Sequence, residues 1–488
     1  MEGRAAFSDP ITRVEGTARI VFVVDGEHTK AYYQVLEFRG FERLAVGRHI
    51  EELPRIMSAI CGVCSWSHHL VSGKAIDAVF GRSPPPRAKL TRMLANYIQI
   101  IDSHLLHLGV MALPDLVYWG DGRRDVLRLY RDHPEVATAA LKARRVVRNI
   151  ENKLGGKLQH AALVVPGGVS RGLSKDDVSE IQKWFIELKS LTSTLHKFFN
   201  EHIKSGREFR EALKDERFML RGLSMGLVRD GFLEFYDGVL KIVGGDGRVV
   251  EEITDPLRYA EVIGEGVADW SYAKLPYYRL LGWSNFEEGS TLIVGPLARL
   301  NVADKVYGET AQKEYGEMVD CVGGKPLSNI LLYHWARLIE ILHGVEAVED
   351  ILYAHERDLL EGDTLDLGGA PKPEGVGILE APRGTLIHHY RAGENYTTIY
   401  ANVITPTTFN NPAINISLNK VGPRLAKEIK TYGKPEPETL SMMESIVRAY
   451  DPCNSCATHC IYLNNVEVSI SFNLVVINLE GDVLWRSG

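Results

Sequence analysis

The chain is poor in cysteine and has no long apolar run. Its 488 residues include only six cysteines: Cys61, Cys64, Cys321, Cys453, Cys456 and Cys460. A secreted disulfide scaffold would carry more cysteines over less chain, so that class is excluded and a reduced, cytoplasmic setting is predicted. No stretch of about 18 consecutive apolar residues occurs, which predicts no membrane span. The opening Met1-Glu2-Gly3-Arg4 lacks the apolar core of a signal peptide.

The chain also lacks a strong charge, an internal repeat and a low-complexity linker. Its net charge of −7 argues against a general nucleic-acid binder. A hydrophobic content of 45% and a charged content of 24% are typical of an ordinary globular protein. The absence of a linker favours one large interlocked domain.

Four of the six cysteines form two C-x-x-C pairs, each followed by a histidine. Cys61 and Cys64 precede His68, and Cys453 and Cys456 precede His459. Between Cys64 and Cys453 lie 388 residues, whereas the pairs of a zinc ribbon stand about 15–20 residues apart. Four thiolates suffice to hold one metal. The spacing therefore predicts a metal site that the fold assembles from both ends of the chain.

Hydrophobic periodicity predicts an α+β fold that is predominantly α, with a core of long helices and small peripheral β-sheets. The run Arg19–Val24 predicts a strand, and Cys321 is interpreted as a small buried residue. A capping box is predicted at Ser174–Asp177. The predicted helices are Arg87–Val110, Pro134–Lys153, a helix that follows Ser174, Pro326–Leu360 and Pro423–Tyr450. Leu113–Leu116 is predicted to break the first of these helices, and Pro326–Leu360 is predicted to be the longest.

The residues around the two cysteine pairs resemble the large subunit of the nickel–iron hydrogenases. That family carries R-x-C-G-x-C-x-x-x-H near the start and D-P-C-x-x-C-x-x-H near the end, and Ile60–His68 and Asp451–His459 fit these motifs. Ala59 stands where the family has arginine. Arg13–Gly16 and Phe38–Glu42 resemble the R-[VI]-E-G and F-R-G-x-E segments. The resemblance implies the hydrogenase large-subunit fold, as one interlocked domain over residues 1–459.

The resemblance implies a catalytic subunit that cleaves dihydrogen reversibly and heterolytically into protons and electrons. Dihydrogen is a weak acid and a poor ligand, so its cleavage needs a soft metal and a nearby base. By the family motif, Cys61, Cys64, Cys453 and Cys456 all bind nickel. Cys64 and Cys456 also bridge to an iron that carries cyanide and carbon monoxide.

Four further roles follow from the same resemblance. Cys453 is the terminal thiolate placed to take the proton, and Glu15 resembles the first acceptor beyond it. Arg383 resembles the arginine over the open metal position, which Asp451 pairs with and orients. Many members place an aspartate before a nearby histidine, facing this arginine, whereas here Ser103 occupies that position.

The resemblance also assigns residues around the iron and at a second ion. His68 would hydrogen-bond a bridging thiolate and tune its basicity. Pro406 and Thr407 resemble the segment that hydrogen-bonds an iron cyanide. Glu42 and His459 resemble ligands of a structural ion, usually magnesium, whose remaining positions are filled by water.

Electrons must leave through a partner, because no cysteine spacing of an iron–sulfur protein occurs beyond the four nickel ligands. The family's iron–sulfur small subunit is the implied partner. Glu37–Glu42 and Pro114–Gly122 most resemble the cytoplasmic methyl-viologen-reducing group. Its members often couple to heterodisulfide reductase, in anaerobic energy metabolism, through an electron-transfer subunit.

The chain continues past His459, where the mature family members end. We interpret residues 460–488 as a maturation extension that a dedicated protease removes after nickel insertion. The alternative is that this segment, which contains alternating and apolar runs, stays as a permanent edge strand.

Two other functions compete with catalysis. The first is a non-catalytic electron-transfer or structural subunit like the related subunit of respiratory complex I, whose members have lost the cysteines. The second is a redox or zinc protein that uses the C-x-x-C pairs as dithiols. That function leaves four residues without a role: Glu15, Glu42, Arg383 and Asp451.

Overall fold

Helices make up most of the described chain. The structure, a computed structural model, describes residues 4–8, 11–25, 28–37, 39–119, 121, 124–283, 286–458, 475–478 and 483–486. The helices are α1 (Phe41–Ala45), α2 (Leu53–Ser58), α3 (Ser65–Phe80), α4 (Pro86–Leu106), α5 (Leu113–Val117), α6 (Val126–Asp132), α7 (Pro134–Gly155), α8 (Lys175–Phe198), α9 (Arg207–Ala212), α10 (Tyr259–Val262), α11 (Pro296–Val302), α12 (Glu309–Cys321), α13 (Leu332–Tyr353), α14 (Glu356–Leu360), α15 (Pro406–Asn419), α16 (Gly422–Tyr432), α17 (Pro437–Tyr450) and α18 (Asn454–Ala457).

The strands are short and form several small sheets. They are β1 (Arg4–Ser8), β2 (Ala18–Asp25), β3 (His28–Val35), β4 (Val164–Val165), β5 (Gly168–Val169), β6 (Leu223–Arg229), β7 (Phe232–Leu233), β8 (Val239–Val243), β9 (Val249–Ile253), β10 (Ile263–Gly266), β11 (Leu275–Tyr278), β12 (Leu292–Ile293), β13 (Glu374–Ala381), β14 (Gly384–Ala392), β15 (Thr398–Ile404), β16 (Val475–Asn478) and β17 (Val483–Arg486). The sheet orders are β17-β16-β1-β2-β3, β12-β6-β8-β9 with β7 on β6, β13-β14-β15, β10-β11 and β4-β5. The predicted α+β class with a helical core is confirmed.

The core lies between long helices that pack side by side. Helix α4 contacts α7 and α13, and α7 contacts α8. Most residues of α13 are buried on every side, which is the pattern of a central helix. Helix α8 begins at the predicted capping box, in which the side chains of Ser174 and Asp177 each bond the other's backbone N–H. These helices form the interior of the protein.

Helix α3 and the sheet β13-β14-β15 position the first cysteine pair. Cys61 and Cys64 lie in the turn between α2 and α3, and Cys64 is the residue that precedes the first turn of α3. Gly377 of β13 lies directly on α3, since a Cβ atom there would stand 2.2 Å from the carbonyl oxygen of Val71. Only glycine allows a strand to approach a helix backbone so closely.

Three helix boundaries differ from those predicted. The helix that begins at Pro86 continues into α5 through a π-helical stretch, His107–Ala112. Pro114 does not break it, because this proline lies in the first turn of α5, where it displaces no hydrogen bond. The segment predicted as Pro326–Leu360 forms α13 and α14, and α8 is longer than α13. The segment Pro423–Tyr450 divides into α16 and α17 at Gly433, which is left-handed with φ 71°.

One helical run among the described residues, Pro86–Val117, is long and apolar enough to cross a bilayer by length and composition alone. However, 78% of its most apolar window is buried inside the protein, as in a core helix. The interpretation of Cys321 as a buried residue is wrong, because it lies exposed at the end of α12.

Part of the segment that follows the second cysteine pair extends the N-terminal sheet. Strand β16 pairs antiparallel with β1, placing Ala5 opposite Ile477, and β17 pairs with β16. His459 and residues 460–474 lie outside the described residues.

Candidate metal centre

Four cysteine sulfurs meet in one buried cluster. The Sγ atoms of Cys61, Cys64, Cys453 and Cys456 all lie within 4.8 Å of one another. The Sγ–Sγ distance is 3.0 Å from Cys64 to Cys456 and 3.3 Å from Cys61 to Cys453. All four side chains are buried and none forms a disulfide. The fold therefore joins the two distant pairs, as their spacing predicts.

Backbone hydrogen bonds hold the two cysteine turns in place. The side chain of Gln159 donates to the carbonyl of Gly62 at 3.0 Å, in the first turn. In the second turn, the N–H of Cys453 donates to Oγ1 of Thr407 at 2.8 Å. Asp451, which ends α17, adopts a left-handed conformation with φ 52° that turns the chain toward Cys453.

Four thiolates at this position require a cation. Hydrogen bonding with Cys453 lowers the pKa of the Cys61 thiol, whereas burial raises the pKa of the Cys453 and Cys456 thiols. Burial therefore opposes ionisation of the second cysteine pair. A soft metal ion offsets the negative charge of four sulfur ligands, so the donor set fits such an ion.

Glu15 lies beside the second pair. Its backbone forms a parallel bridge with Cys453, and its carboxylate accepts the N–H of Ser455 at 3.1 Å. Burial raises the pKa of the Glu15 carboxyl, and the charge of Cys61 raises it further. An acid of raised pKa next to a thiol is suited to proton exchange.

Arg383 faces the cluster from the turn between β13 and β14. Its Nε donates to the backbone carbonyl of Asp451 at 2.7 Å, and its Nη2 donates to the Asp451 carboxylate at 3.1 Å. Its Nη1 donates to Oγ of Ser103 at 3.3 Å. Ser103 therefore faces the arginine, whereas Asp102 pairs with Arg144 at 3.2 Å.

Arg383 stabilises the ionised form of the Asp451 carboxyl. Burial alone would raise the pKa of the Asp451 carboxyl, but the charge of Arg383, with a contribution from His107, holds it well below its usual range. Nδ1 of His107 lies 3.0 Å from Oδ1 of Asp451. A fully charged Arg383–Asp451 pair therefore lies beside the cysteines.

His68 contacts the cluster through one ring nitrogen and a second histidine through the other. Its Nε2 lies 3.4 Å from Sγ of Cys456, and its Nδ1 lies 3.0 Å from Nε2 of His388. Nδ1 of His388 lies 2.5 Å from the hydroxyl of Tyr390, which lies 2.9 Å from Oγ of Ser72. Sequence reasoning missed His388 and Tyr390, although their two-residue spacing places both on one face of a strand.

A small cavity, with room for about one water-sized molecule, adjoins the sulfurs. Pro406, the first residue of α15, and Thr407 line it, as do Arg383 and Leu386. Cys64, Cys453 and Cys456 open onto the same space. The cavity therefore brings the cationic arginine, the helix start and three of the four cysteines together.

Glu42 lies apart from the cysteines, in a cluster rich in oxygen atoms. Its carboxylate accepts from Nζ of Lys274 at 2.9 Å, and the same ammonium donates to Oδ1 of Asn402 at 2.9 Å. Glu265 lies 3.4 Å from Nζ of Lys274, and its Oε1 accepts no hydrogen bond from any described residue. His459, the other predicted ligand, lies outside the described residues. The donor set suits a hard cation that retains water.

Comparison with known proteins gives one consistent result. A sequence model of the family described as nickel-dependent hydrogenase matches residues 39–118 and 250–459. One subunit of the F420-non-reducing hydrogenase vhc of Methanococcus voltae is 37% identical over 93% of this chain and 94% of its own length. One subunit of the F420-non-reducing hydrogenase of Methanothermobacter thermautotrophicus is 36% identical over 98% of both chains. The crystal structure of an NAD+-reducing [NiFe]-hydrogenase in the H2-reduced state has a TM-score of 0.85 and 32% identity, covering 93% of this chain and 99% of that chain.

Proposed function

Because this chain belongs to the nickel-dependent hydrogenase family, we propose that its four clustered cysteines hold a nickel–iron centre. The family inferred from the two cysteine pairs is confirmed. The chain is the catalytic large subunit of a nickel–iron hydrogenase, which cleaves dihydrogen reversibly into protons and electrons. The observation that carries this conclusion is the meeting of four buried thiols from opposite ends of the chain.

In this proposal, all four thiolates would hold nickel, and Cys64 and Cys456 would also hold iron. The Sγ atoms of Cys64 and Cys456 lie 3.0 Å apart, close enough for both to contact one ion. Pro406 and Thr407 line the adjoining cavity, which supports their placement beside cyanide and carbon monoxide ligands on the iron. When bound, the centre supplies the soft, electron-rich metal that dihydrogen cleavage requires.

The proton leaves through Cys453 and Glu15. Cys453 would be a terminal thiolate, and its backbone bridge with Glu15 places the two residues side by side, which supports transfer between them. The raised pKa of Glu15 brings it closer to that of a thiol, so a proton can move in either direction.

Arg383 acts from the open side of the centre. Its guanidinium is a permanent cation held by Asp451, so it can polarise dihydrogen and hold a diatomic molecule in the cavity. Ser103 contributes a neutral hydroxyl where many relatives carry an aspartate. The positive charge of Arg383 is therefore offset by Asp451 without a second carboxylate at position 103.

A magnesium ion is proposed at Glu42 and His459. The carboxylate of Glu42, with Glu265 and Asn402 nearby, supplies oxygen atoms of the kind that magnesium prefers. Lys274 would then lie beside the hydrated ion and share its acidic neighbours.

Electron transfer requires a partner protein. The described residues contain no second group of cysteines that could hold an iron–sulfur cluster. We propose that an iron–sulfur small subunit receives the electrons and passes them to heterodisulfide reductase through an electron-transfer subunit. The F420-non-reducing relatives support this group assignment.

Residues 460–488 are proposed as an extension that a maturation protease removes after His459. We also propose a cytoplasmic location. The cysteines among the described residues are all free thiols, which supports this location. Intact mass of the active enzyme tests the cleavage, because a mass that includes residues beyond His459 contradicts it.

Metal analysis and infrared spectroscopy test the proposed centre. The enzyme is purified with its partner from the native host, and its nickel and iron contents are measured. Stoichiometric nickel together with cyanide and carbonyl bands is the expected result. Zinc, or the absence of these bands in fully processed protein, would overturn the proposal.

A further inference from the structure

A buried arginine, Arg299, binds the turn that carries Arg383. Pro382 and Arg383 are the two residues that join β13 to β14. Nη1 of Arg299 donates to the carbonyl of Ala381 at 2.9 Å, and Nη2 donates to the carbonyl of Pro382 at 3.2 Å. A side chain from α11 therefore fixes the backbone immediately before Arg383.

Two carboxylates hold Arg299 in place. Glu340 of α13 accepts from Nε at 2.7 Å and from Nη2 at 2.6 Å, and Glu380 accepts from Nη1 at 2.8 Å. Together with the two carbonyls of the turn, these acceptors occupy all five N–H groups of the guanidinium. All three side chains are fully buried, so bulk water does not compete for these bonds. The guanidinium of Arg299 is therefore fixed in one orientation.

The start of α11 also contacts the turn. Gly295, which precedes α11, has φ 100°, and a Cβ atom there would lie 2.8 Å from the carbonyl oxygen of Arg383. Gly295 and Arg299 are four residues apart, so they lie on the same side of this helix. One side of α11 therefore contacts three successive carbonyl groups, those of residues 381–383.

Helix α4 connects the two ends of this arrangement. Oγ of Ser103 accepts from Nη1 of Arg383 at 3.3 Å. Nε2 of the neighbouring His104 lies 2.7 Å from Oε2 of Glu340, the carboxylate that binds Arg299. The guanidinium of Arg383 and the bonds that fix its backbone are therefore placed relative to the same helix.

We propose that Arg299, held by Glu340, is a positioning residue that keeps Arg383 at the cavity beside the cysteines. The reach of a long side chain depends on where the turn places its Cα atom, and a displacement of about 1 Å can reduce a rate about 100-fold. Ala381, Pro382 and Arg383 line the cavity, whereas Arg299 does not, so Arg299 acts through the turn. This inference rests on the proposed role of Arg383 in dihydrogen cleavage.

Arg299→Lys tests the inference, because lysine keeps the charge but cannot form the same five bonds. In the nickel-loaded enzyme with its partner, dihydrogen oxidation is expected to fall about 10–100-fold. Hydrogen–deuterium exchange of residues 381–386 is expected to become faster, which measures the turn independently of activity. The matched control is Arg92→Lys, at a buried arginine that binds Asp77 and carbonyls of the β4–β5 hairpin. It should leave both the rate and this exchange unchanged.

A double substitution separates positioning from general stability. If Arg299 acts through Arg383, adding Arg299→Lys to Arg383→Lys should slow turnover little beyond Arg383→Lys alone. Independent effects would instead multiply. An unchanged rate or unchanged exchange in Arg299→Lys, or multiplied losses in the double variant, would overturn the inference.

Glu340→Gln decides the question if Arg299→Lys does not accumulate. It keeps Arg299 but replaces one of the accepting oxygen atoms with an amide N–H group. Faster exchange of residues 381–386 and slower turnover are expected, and unchanged exchange would overturn the inference. A wild-type enzyme without nickel or without dihydrogen oxidation would instead refute the proposed function, and the exchange result would still report on the turn.

Discussion

Arg383 binds Asp451 twice, once through the backbone carbonyl and once through the carboxylate, at 2.7 and 3.1 Å. The two residues come from different parts of the chain, the β13–β14 turn and the end of α17. Because Asp451 stands two residues before Cys453, this pair ties the arginine's position to that of a proposed metal ligand. A guanidinium makes both contacts at once, which an ammonium cannot do with the same geometry.

Arg383→Lys is therefore expected to reduce dihydrogen oxidation about 100–1,000-fold, as removal of an aligned electrostatic group does. Nickel content should stay unchanged, since no cysteine is touched. A dye-linked hydrogen oxidation assay measures the rate. Arg391→Lys makes the same change at an exposed arginine of β14 and should have no effect. Full activity in Arg383→Lys would contradict the assigned role.

Glu15→Gln is expected to slow turnover at least about 100-fold, because it removes a proton acceptor but keeps the side chain's shape. The infrared bands and nickel content should match wild type. Burial, aided by the charge of Cys61, raises the pKa of Glu15 above 4.5. Only the ionised carboxylate accepts a proton, so wild-type dihydrogen oxidation should rise with pH through a value above 4.5. The matched control is Glu51→Gln, at an exposed carboxylate. Rapid turnover in a nickel-loaded Glu15→Gln enzyme would exclude this route.

Glu340 is expected to stabilise the fold through a buried pair with Arg299, at 2.7 and 2.6 Å. Burial opposes ionisation of Glu340, but the charge of Arg299 lowers the pKa of its carboxyl to about 2, from 4.5. This stabilisation is therefore complete above pH 4.5 and is lost as the pH falls from 4.5 through about 2.

Glu340→Gln should consequently lower the free energy of unfolding by about 3–5 kcal/mol at neutral pH, as breaking a buried ion pair does. Thermal unfolding measured across the acid range tests both statements. Glu349→Gln on the same helix breaks a solvent-exposed pair with Lys189 and should change stability by less than about 1 kcal/mol. Equal effects of the two substitutions would show that burial of the pair is unimportant.

Gly377→Ala is expected to displace β13 from α3, because its Cβ atom would lie 2.2 Å from the carbonyl oxygen of Val71. We expect a loss of about 1–3 kcal/mol in stability, and less nickel, since α3 carries His68. Gly316→Ala in α12 is the control. No atom lies within 4 Å of the added methyl group, so that substitution should stabilise the helix by about 0.5–1 kcal/mol. Thermal unfolding with metal analysis distinguishes the two.

Local sequence patterns were sufficient to predict several structural elements. The capping box at Ser174 and Asp177 depends on neighbouring residues alone, and it forms as predicted. Strand β2 follows from a short β-branched run. The meeting of Cys61 with Cys453 is a long-range contact, and it could be predicted only because a shared metal requires it.

Other features depend on tertiary contacts that no local pattern reveals. Pro114 does not end the helix, because a π-helical stretch before it shifts the backbone register. Cys321 has an apolar side chain but lies on the exposed end of α12. His388 and Tyr390 read as ordinary strand residues, and only the packing of β14 against α3 shows what they face.

The joining of the two chain ends at one cluster also has an entropic consequence. A metal that binds both Cys61 and Cys453 closes a loop spanning 392 residues. If it restricts the unfolded chain as a disulfide does, that closure is worth about 6 kcal/mol at 25 °C. Nickel would then be a cross-link as well as a catalyst, and removing it would make the whole domain easier to unfold, although the Glu15–Cys453 bridge still joins its two ends.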